Sequence, residues 1–263
     1  MAEADKRRRF FISREEEALG PPGGQAGAAP TFTAGQRLAL PPAEAHHAAH
    51  VLRLRPGDAI ALFDGAGSAA LARVAEVRRG AVTALVEEAG PPLARPAPIV
   101  HLAFAVPKGG RLDWLLEKAT ELGAASLRPI VFERSVAGGA LSLAQRRRWR
   151  SRCVSAAKQA GLDFLPTIED PMPLADYLAA PRDGLGLVGD LSADARPFSA
   201  AVSGQAGAPR TYNIAVGPEG GLTAGEREAL RRAGFVPVRL GRTVLRVETA
   251  AVALLSGILA LQG

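Results

Sequence analysis

Hydrophobic and polar positions in this 263-residue chain follow two different rules, one on either side of a proline-rich stretch. Before it, apolar residues come in short runs separated by turn formers. Phe10–Ile12, Arg37–Leu40, Ala59–Phe63, Ala69–Val77 and Ala81–Glu87 read as strands. Asp64-Gly65-Ala66-Gly67-Ser68 reads as the hairpin turn between two of them. Ala43–Arg53, entered through Pro41-Pro42, reads as a short helix. Short strands at such close spacing predict a small β-barrel. After the stretch, strand and helix patterns alternate. Ile99–Val106, Leu127–Phe132, Leu185–Asp190, Tyr212–Gly217 and Val236–Leu240 read as buried strands. Leu112–Leu122, Leu143–Ala160, Thr223–Ala233 and Glu248–Leu261 read as helices. Gly123 and Gly234 are placed to cap two of them. This alternation predicts an α/β domain with a mostly parallel sheet covered by helices. Ligands in such sheets sit at the carboxyl ends of the strands.

The divider, Glu88–Pro98, carries four prolines and sets the expected domains at 1–92 and 97–263. Gly20–Gln36, rich in Gly, Ala and Pro, reads as a surface insertion, and Ser192–Arg210 as a loop of the second domain.

Composition narrows the function. Apolar residues make up 48%, enough for packed cores. Cys153 is the sole cysteine and there are four histidines, too few ligands for a structural zinc site, so no metal is expected. A lone thiol suits a reducing, cytoplasmic setting. The N-terminus is charged and carries no apolar signal segment. Ala250–Leu261, the longest apolar run, falls short of the roughly 20 residues a bilayer needs, so it reads as a buried helix and no membrane is expected. The net charge is +6, and among 32 basic residues only Lys6, Lys108, Lys118 and Lys158 are lysines. Arginine forks suit phosphates and bases. A GC-rich coding sequence yields the same bias, so charge alone only tilts the balance toward nucleic acid.

Three stretches carry chemistry. In Asn213–Thr223 an apolar strand runs into Gly-Pro-Glu-Gly-Gly and then a helix, where Thr223 and Glu226 form a capping box. It lacks the GK[ST] of a phosphate-binding loop and is not GxGxxG. It reads equally as a ligand loop and as an ordinary strand-to-helix turn. In Arg239–Ala251 a strand ends in a basic loop before an apolar helix. Arg246 there suits a phosphate or a developing negative charge, or pairs with Glu248 or Glu219. In Ala105–Gly123, Lys108 and Arg111 flank Gly109-Gly110 between strand and helix, where an anion can bind. The runs Arg7-Arg8-Arg9, Arg53/Arg55 and Arg146–Arg152 are RNA contacts or simply solvated faces. Trp149 in the last run stacks on a base or packs inward. His46, His47 and His50 share helical spacing, and His47 suits capping or RNA contact rather than a metal.

VPKGGRLDWLLEKATELGA, FERS, AVGPEGGLT and LGRTVLRVETA follow one another in an order that resembles the RsmE family of small-subunit ribosomal RNA methyltransferases. RRFFIS, HAAHVLRLRPGD and LFDGAGSAALARV resemble the same family's N-terminal barrel. The likeness covers nearly the whole chain. It implies a PUA-like RNA-binding barrel and a SPOUT domain whose C-terminal chain threads a loop to form a trefoil knot. It also implies a homodimer, S-adenosylmethionine as cofactor, and N3 of a uridine in 16S ribosomal RNA of the small subunit as target. The cofactor loops then fall at Val188–Leu191, Val216–Gly221 and Leu240–Arg246. They place Val188, Gly189, Val216, Gly217, Pro218, Glu219, Gly220, Gly221, Leu240, Gly241, Val244, Leu245 and Arg246 against the cofactor. Arg246 and Glu219 are the expected catalytic pair, one favouring the uracil anion and the other orienting the base or accepting its proton. Arg8, Arg9, His47, Arg53, Lys108, Arg111, Arg134 and Arg150 are the expected RNA contacts. The chain departs from the family at Lys158-Gln159-Ala160-Gly161-Leu162, where Leu162 replaces an arginine. It departs again at Gly241-Arg242-Thr243, which replaces Gly-Pro-Arg, and at Gly110 in Lys108-Gly109-Gly110-Arg111. Alternative targets are a ribose 2′-hydroxyl or another base. A non-catalytic ribosome-assembly factor is the alternative outside enzymes.

Overall fold

The structure, a computed structural model, describes residues 7–13, 32–135, 139–203 and 210–262. Most of the expected insertion Gly20–Gln36 lies outside the described residues. The chain divides into two compact units, one of residues 1–95 with 157–165 and the other of 96–156 with 166–263.

In the first unit β1 (Arg8–Phe11), β2 (Arg37–Ala39), β3 (Ala59–Phe63), β4 (Ala69–Arg78) and β5 (Ala81–Ala89) pair in the order β1-β3-β4-β5-β2. β1 runs parallel to β3 and the other pairs are antiparallel. Alternate residues of the strands (Ile60 and Leu62; Ala72 and Val74; Val82, Ala84 and Val86) fill one core with Phe10 and Phe32. The expected helix 43–53 is shorter: α1 (Pro42–His46) passes into a π-helical turn, His47–Val51.

The segment 157–165 belongs to this unit although it lies far along the chain, a return for which a boundary near residue 95 has no place. Gly67 N donates to Asp163 O (3.1 Å) and Leu165 N to Gly65 O (2.8 Å), so the hairpin turn binds the segment backbone to backbone. Both glycines have positive φ, 76° and 102°. A Cβ on Gly65 would lie 2.8 Å from Leu165, and one on Gly67 2.6 Å from Phe164. The turn therefore requires glycine twice, for conformation and for close approach. Lys158 donates to both oxygens of Glu44 (2.9 and 2.7 Å) and lies over the Phe10 ring.

The second unit is a parallel sheet. β6 (Ile99–Phe104), β7 (Ser126–Val131), β8 (Thr167–Ile168), β10 (Leu185–Gly189), β11 (Arg196–Pro197), β12 (Thr211–Val216) and β13 (Val236–Arg239) pair in the order β11-β13-β10-β12-β6-β7-β8. β9 (Met172–Pro173) pairs separately with β7. α2 (Arg111–Glu121) and α5 (Phe198–Ser203) each contact α7 (Val247–Gln262), which lies on β6 and β12. α4 (Leu174–Ala179) meets α6 (Ala224–Arg232), and Leu174, Tyr177 and Leu230 share a core with Ala103, Val188 and Ala215. Helices on both faces explain why these strands read as continuous apolar runs. α3 (Leu143–Ala160) buries Trp149, Cys153, Ala156 and Ala157 along one stripe, so the indole packs inward.

The expected loop 192–210 instead contains β11 and α5, and β8, β9 and α4 occupy ground left unassigned. Two-residue strands and six-residue helices are shorter than any window in which periodicity can be read. No helix among the described residues is long and apolar enough to cross a membrane. No cluster of three or more His, Cys, Asp or Glu able to hold a metal occurs among them.

Candidate functional site

β13, β10 and β12 are neighbours in the sheet, and all three end at the same edge. The loops that follow them and the first turns of α7 enclose a cavity of about 310 Å³. The loop after β12 is locally self-sufficient. Gly221 N donates to Pro218 O (2.8 Å) with Gly221 at φ 72°. Thr223 then caps α6: its hydroxyl accepts from Glu226 N (3.3 Å) and its own N–H donates to Glu226 (2.8 Å). The other oxygen of Glu226 accepts from Glu133 N (2.8 Å), which ties the loop after β7 to this turn. The expected capping box is present and does more than cap.

Of the residues expected against the cofactor, Gly189, Val216, Gly217, Pro218, Glu219, Gly220, Gly221, Leu240, Gly241, Val244 and Leu245 line the cavity. Val188 does not. It points into the core beneath, 3% exposed, because alternation along β10 turns it to the α4–α6 face. Arg246 lies outside the lining too. It is exposed and has no ion-pair partner among the described residues. Arg111, not Arg246, pairs with Glu248 (3.4 Å), whose carboxylate is 8% exposed and whose Oε2 has no hydrogen-bond partner.

Cations gather at the rim from separate loops. Lys108 N donates to Glu219 (3.3 Å), and Arg134 donates to Gly220 O (2.8 Å). The Lys108, Arg134 and Glu219 side chains are exposed. Lys108, Arg111 and Arg134 are thus brought to the glycine loop and the start of α7, near Arg246 in sequence.

Elsewhere the basic runs are partly consumed. Arg148 (2.7 Å) and Arg152 (3.3 Å) pair with Asp113, and Arg146 pairs with Asp170. The hydrogen bond from Arg148 holds the Asp113 carboxyl below the usual range. Arg150 is half-buried. Burial pushes the Cys153 thiol up to about 11. In the first unit Arg8 and Arg53 are exposed and His47 is half-buried. Arg9, expected as an RNA contact, is committed internally: it donates to Leu162 O (3.0 Å), pairs with Asp163 and covers the Phe63 ring at 4.9 Å. His46 and His50 stack at 4.8 Å.

Sequence reasoning gave no role to Asp190 and Arg227. Both line the cavity, paired at 2.9 Å. Asp190 fell inside an expected cofactor loop. Arg227 gave no signal, since nothing in sequence brings a helix residue against a strand end 37 positions away.

A parallel α/β sheet with a loop-built cavity at its carboxyl edge defines a ligand-binding α/β domain, and comparison with known protein families gives its class as RNA methyltransferase. The model of an RNA methyltransferase domain matches residues 95–259, and that of an RNA methyltransferase PUA domain matches 40–87. The ribosomal RNA small subunit methyltransferase E of Mycobacterium bovis is 36% identical over 82% of this chain and 83% of its own length. The Bacillus subtilis protein of the same name is 33% identical over 88% and 90%. A crystal structure of the Neisseria gonorrhoeae protein of that name, bound to S-adenosyl methionine, matches with TM-score 0.79. The identity there is 27%, and the match covers 97% of this chain and 98% of that one. The chain belongs to the ribosomal RNA small subunit methyltransferase E family.

Proposed function

We propose that this protein transfers the methyl group of S-adenosylmethionine to N3 of a uridine in 16S ribosomal RNA of the small subunit. The cavity at the ends of β10, β12 and β13 carries this reading, in a chain whose relatives bear that name and whose structural neighbour holds that cofactor. The lining fits the cofactor. Leu222, Leu245, Val247 and Leu254 offer apolar surface for a flat heterocycle, and glycines 217, 220 and 221 leave main chain bare for close approach. A Cβ on Gly217 would lie 2.7 Å from Leu222, so the bare loop also folds back on its own wall.

When bound, the cofactor supplies a methyl group already activated on a sulfonium. The protein then has to align the nucleophile and make it anionic. Uracil N3 holds a proton and lies on the pairing edge, so the base must be unpaired or flipped out. Arg246, exposed and without an ion-pair partner among the described residues, stabilises the uracil anion as the proton leaves. Glu219, exposed at the rim and held by the Lys108 N–H, orients the base or accepts the proton. Lys108, Arg111 and Arg134 hold the flanking phosphates. Arg8, His47 and Arg53 of the first unit provide further RNA contacts. The C-terminal chain, ending in α7, threads the loop after β10 as a trefoil knot. Two chains form a homodimer, a pairing supported by Trp114 on α2 and Leu261 on α7, each 44% exposed on helices that pack together.

Tritiated methyl transfer to unmodified small subunits, followed by nucleoside chromatography, tests the proposal. The expected label is 3-methyluridine. Label in another nucleoside overturns the N3 target, and absence of both transfer and cofactor binding leaves an RNA-binding assembly factor.

A further inference from the structure

Asp190 is the buried acid of the cavity. It follows the last residue of β10, its side chain is 8% exposed, and its backbone N–H donates to Val238 O (3.0 Å), which fixes it between β10 and β13. Among the described residues each carboxylate oxygen has one donor: Leu191 N on Oδ1 (2.9 Å) and Arg227 Nε on Oδ2 (2.9 Å). An ionised carboxylate offers about four lone-pair sites, so two acceptor positions remain in a side chain that lines the cavity. Glu219, the other acid lining it, is exposed at the rim and differs in kind. The charge of Asp190 is already met by Arg227, which is itself part of the cavity wall and repels a second cation. Such a carboxylate suits neutral hydroxyl donors better than the ammonium or the sulfonium of the cofactor.

We propose that Asp190, oriented by Arg227, accepts the 2′- and 3′-hydroxyls of the cofactor's ribose. The inference rests on the cofactor reading above. A cis-diol presents two donors side by side to one carboxylate, the bidentate match that gives specificity as well as affinity. Arg227 acts as a positioning residue. As an arginine its planar fork fixes one oxygen by a single directed bond, which a lysine does not reproduce.

The test is calorimetric binding of S-adenosylhomocysteine and of its 2′-deoxy and 3′-deoxy analogues to the full chain, with no turnover required. Wild type is expected to bind the parent compound about 10- to 100-fold tighter than either analogue, the span of hydrogen bonds to a charged acceptor. Asp190→Ala and the near-isosteric Asp190→Asn are expected to bind all three compounds within about threefold of one another. Arg227→Met is expected to shrink the discrimination, and Arg227→Lys to restore it only in part. Thermal unfolding of each variant establishes that it is folded. Equal wild-type affinity for parent and analogues overturns the assignment while the cofactor reading stands. Undiminished discrimination in folded Asp190→Asn and Asp190→Ala does the same. Failure of wild type to bind the parent compound overturns both together.

Discussion

The first unit and the carboxyl edge of the second use the same cations in opposite ways. In the first, Arg9 pairs with Asp163 over Phe63, Lys158 grips Glu44 over Phe10, and Arg95 donates to Leu165 O (2.7 Å) over Phe164. These cations fasten a distant segment, 157–165, to β1, to α1 and to Arg95 of the same unit. At the second unit's edge, Lys108, Arg134 and Arg246 are exposed, and Arg134 reaches only a backbone carbonyl. A cation that lies over a ring and is bonded within its own unit is structural, whereas an exposed one away from any ring and carboxylate is available for a ligand. Basic composition does not distinguish the two.

Substitutions sharpen the contrast. Arg246→Ala is expected to lower the methyl-transfer rate about 100-fold or more, as loss of one donor to a developing anion does. Its unfolding midpoint and cofactor affinity are expected to stay at wild-type values, because the side chain is exposed and outside the cavity lining. A rate near wild type, or a lowered midpoint, breaks the assignment. Lys158→Met is expected to do the reverse. It leaves Glu44, 12% exposed, without its partner and should cost about 2–3 kcal/mol in denaturant unfolding. Cofactor affinity of the folded fraction is expected to be unaltered.

The buried thiol gives a pH-dependent effect of about the same size. Cys153 titrates near 9.0 when unfolded and near 11 in the fold. Between those values the unfolded chain has lost the proton and the folded chain keeps it. Stability is thus intact below pH 9 and falls by about 2 kcal/mol as pH rises to 11. Across that range wild type is expected to lose this stability relative to its value at pH 8, and Cys153→Ala is expected to lack that part of the loss; equal pH dependence of the two in chemical unfolding would rule the thiol out as its source. The smallest effect is expected at Asp113→Ala, which removes the exposed Arg148 and Arg152 pairs. Its depressed carboxyl stabilises only above about pH 4, and loss at neutral pH is expected below about 0.5 kcal/mol after solvent screening. A larger loss in chemical unfolding would mark the α2–α3 network as structural.

Much of this organisation was legible along the chain. Buried parallel strands appear as unbroken apolar runs, and Thr223 with Glu226 announces a helix start because a capping box is made within four residues. The glycine loop and the strand before it likewise locate the cavity, since both are set by neighbours in sequence. Val188 was misplaced by one step, and in a strand one step turns a side chain to the opposite face. Pairing of Arg246 with Glu248 or Glu219 was one of two readings of that stretch, beside an anion-binding role. Arg111, more than a hundred positions earlier, takes the Glu248 carboxylate because the N-terminus of α2 and the start of α7 converge.

By itself, then, the sequence determined the longer strands and helices, the caps and turns, and the alternation that makes one unit mostly antiparallel and the other parallel. All of these depend on interactions spanning a few residues, where periodicity and backbone preference act directly. Only the tertiary structure decided that 157–165 completes the first unit, which arginines are spent on internal carboxylates, and that Asp190 meets Arg227 in the cavity wall. Those outcomes depend on which long side chains reach one another across separate elements, and linear spacing carries no record of that distance.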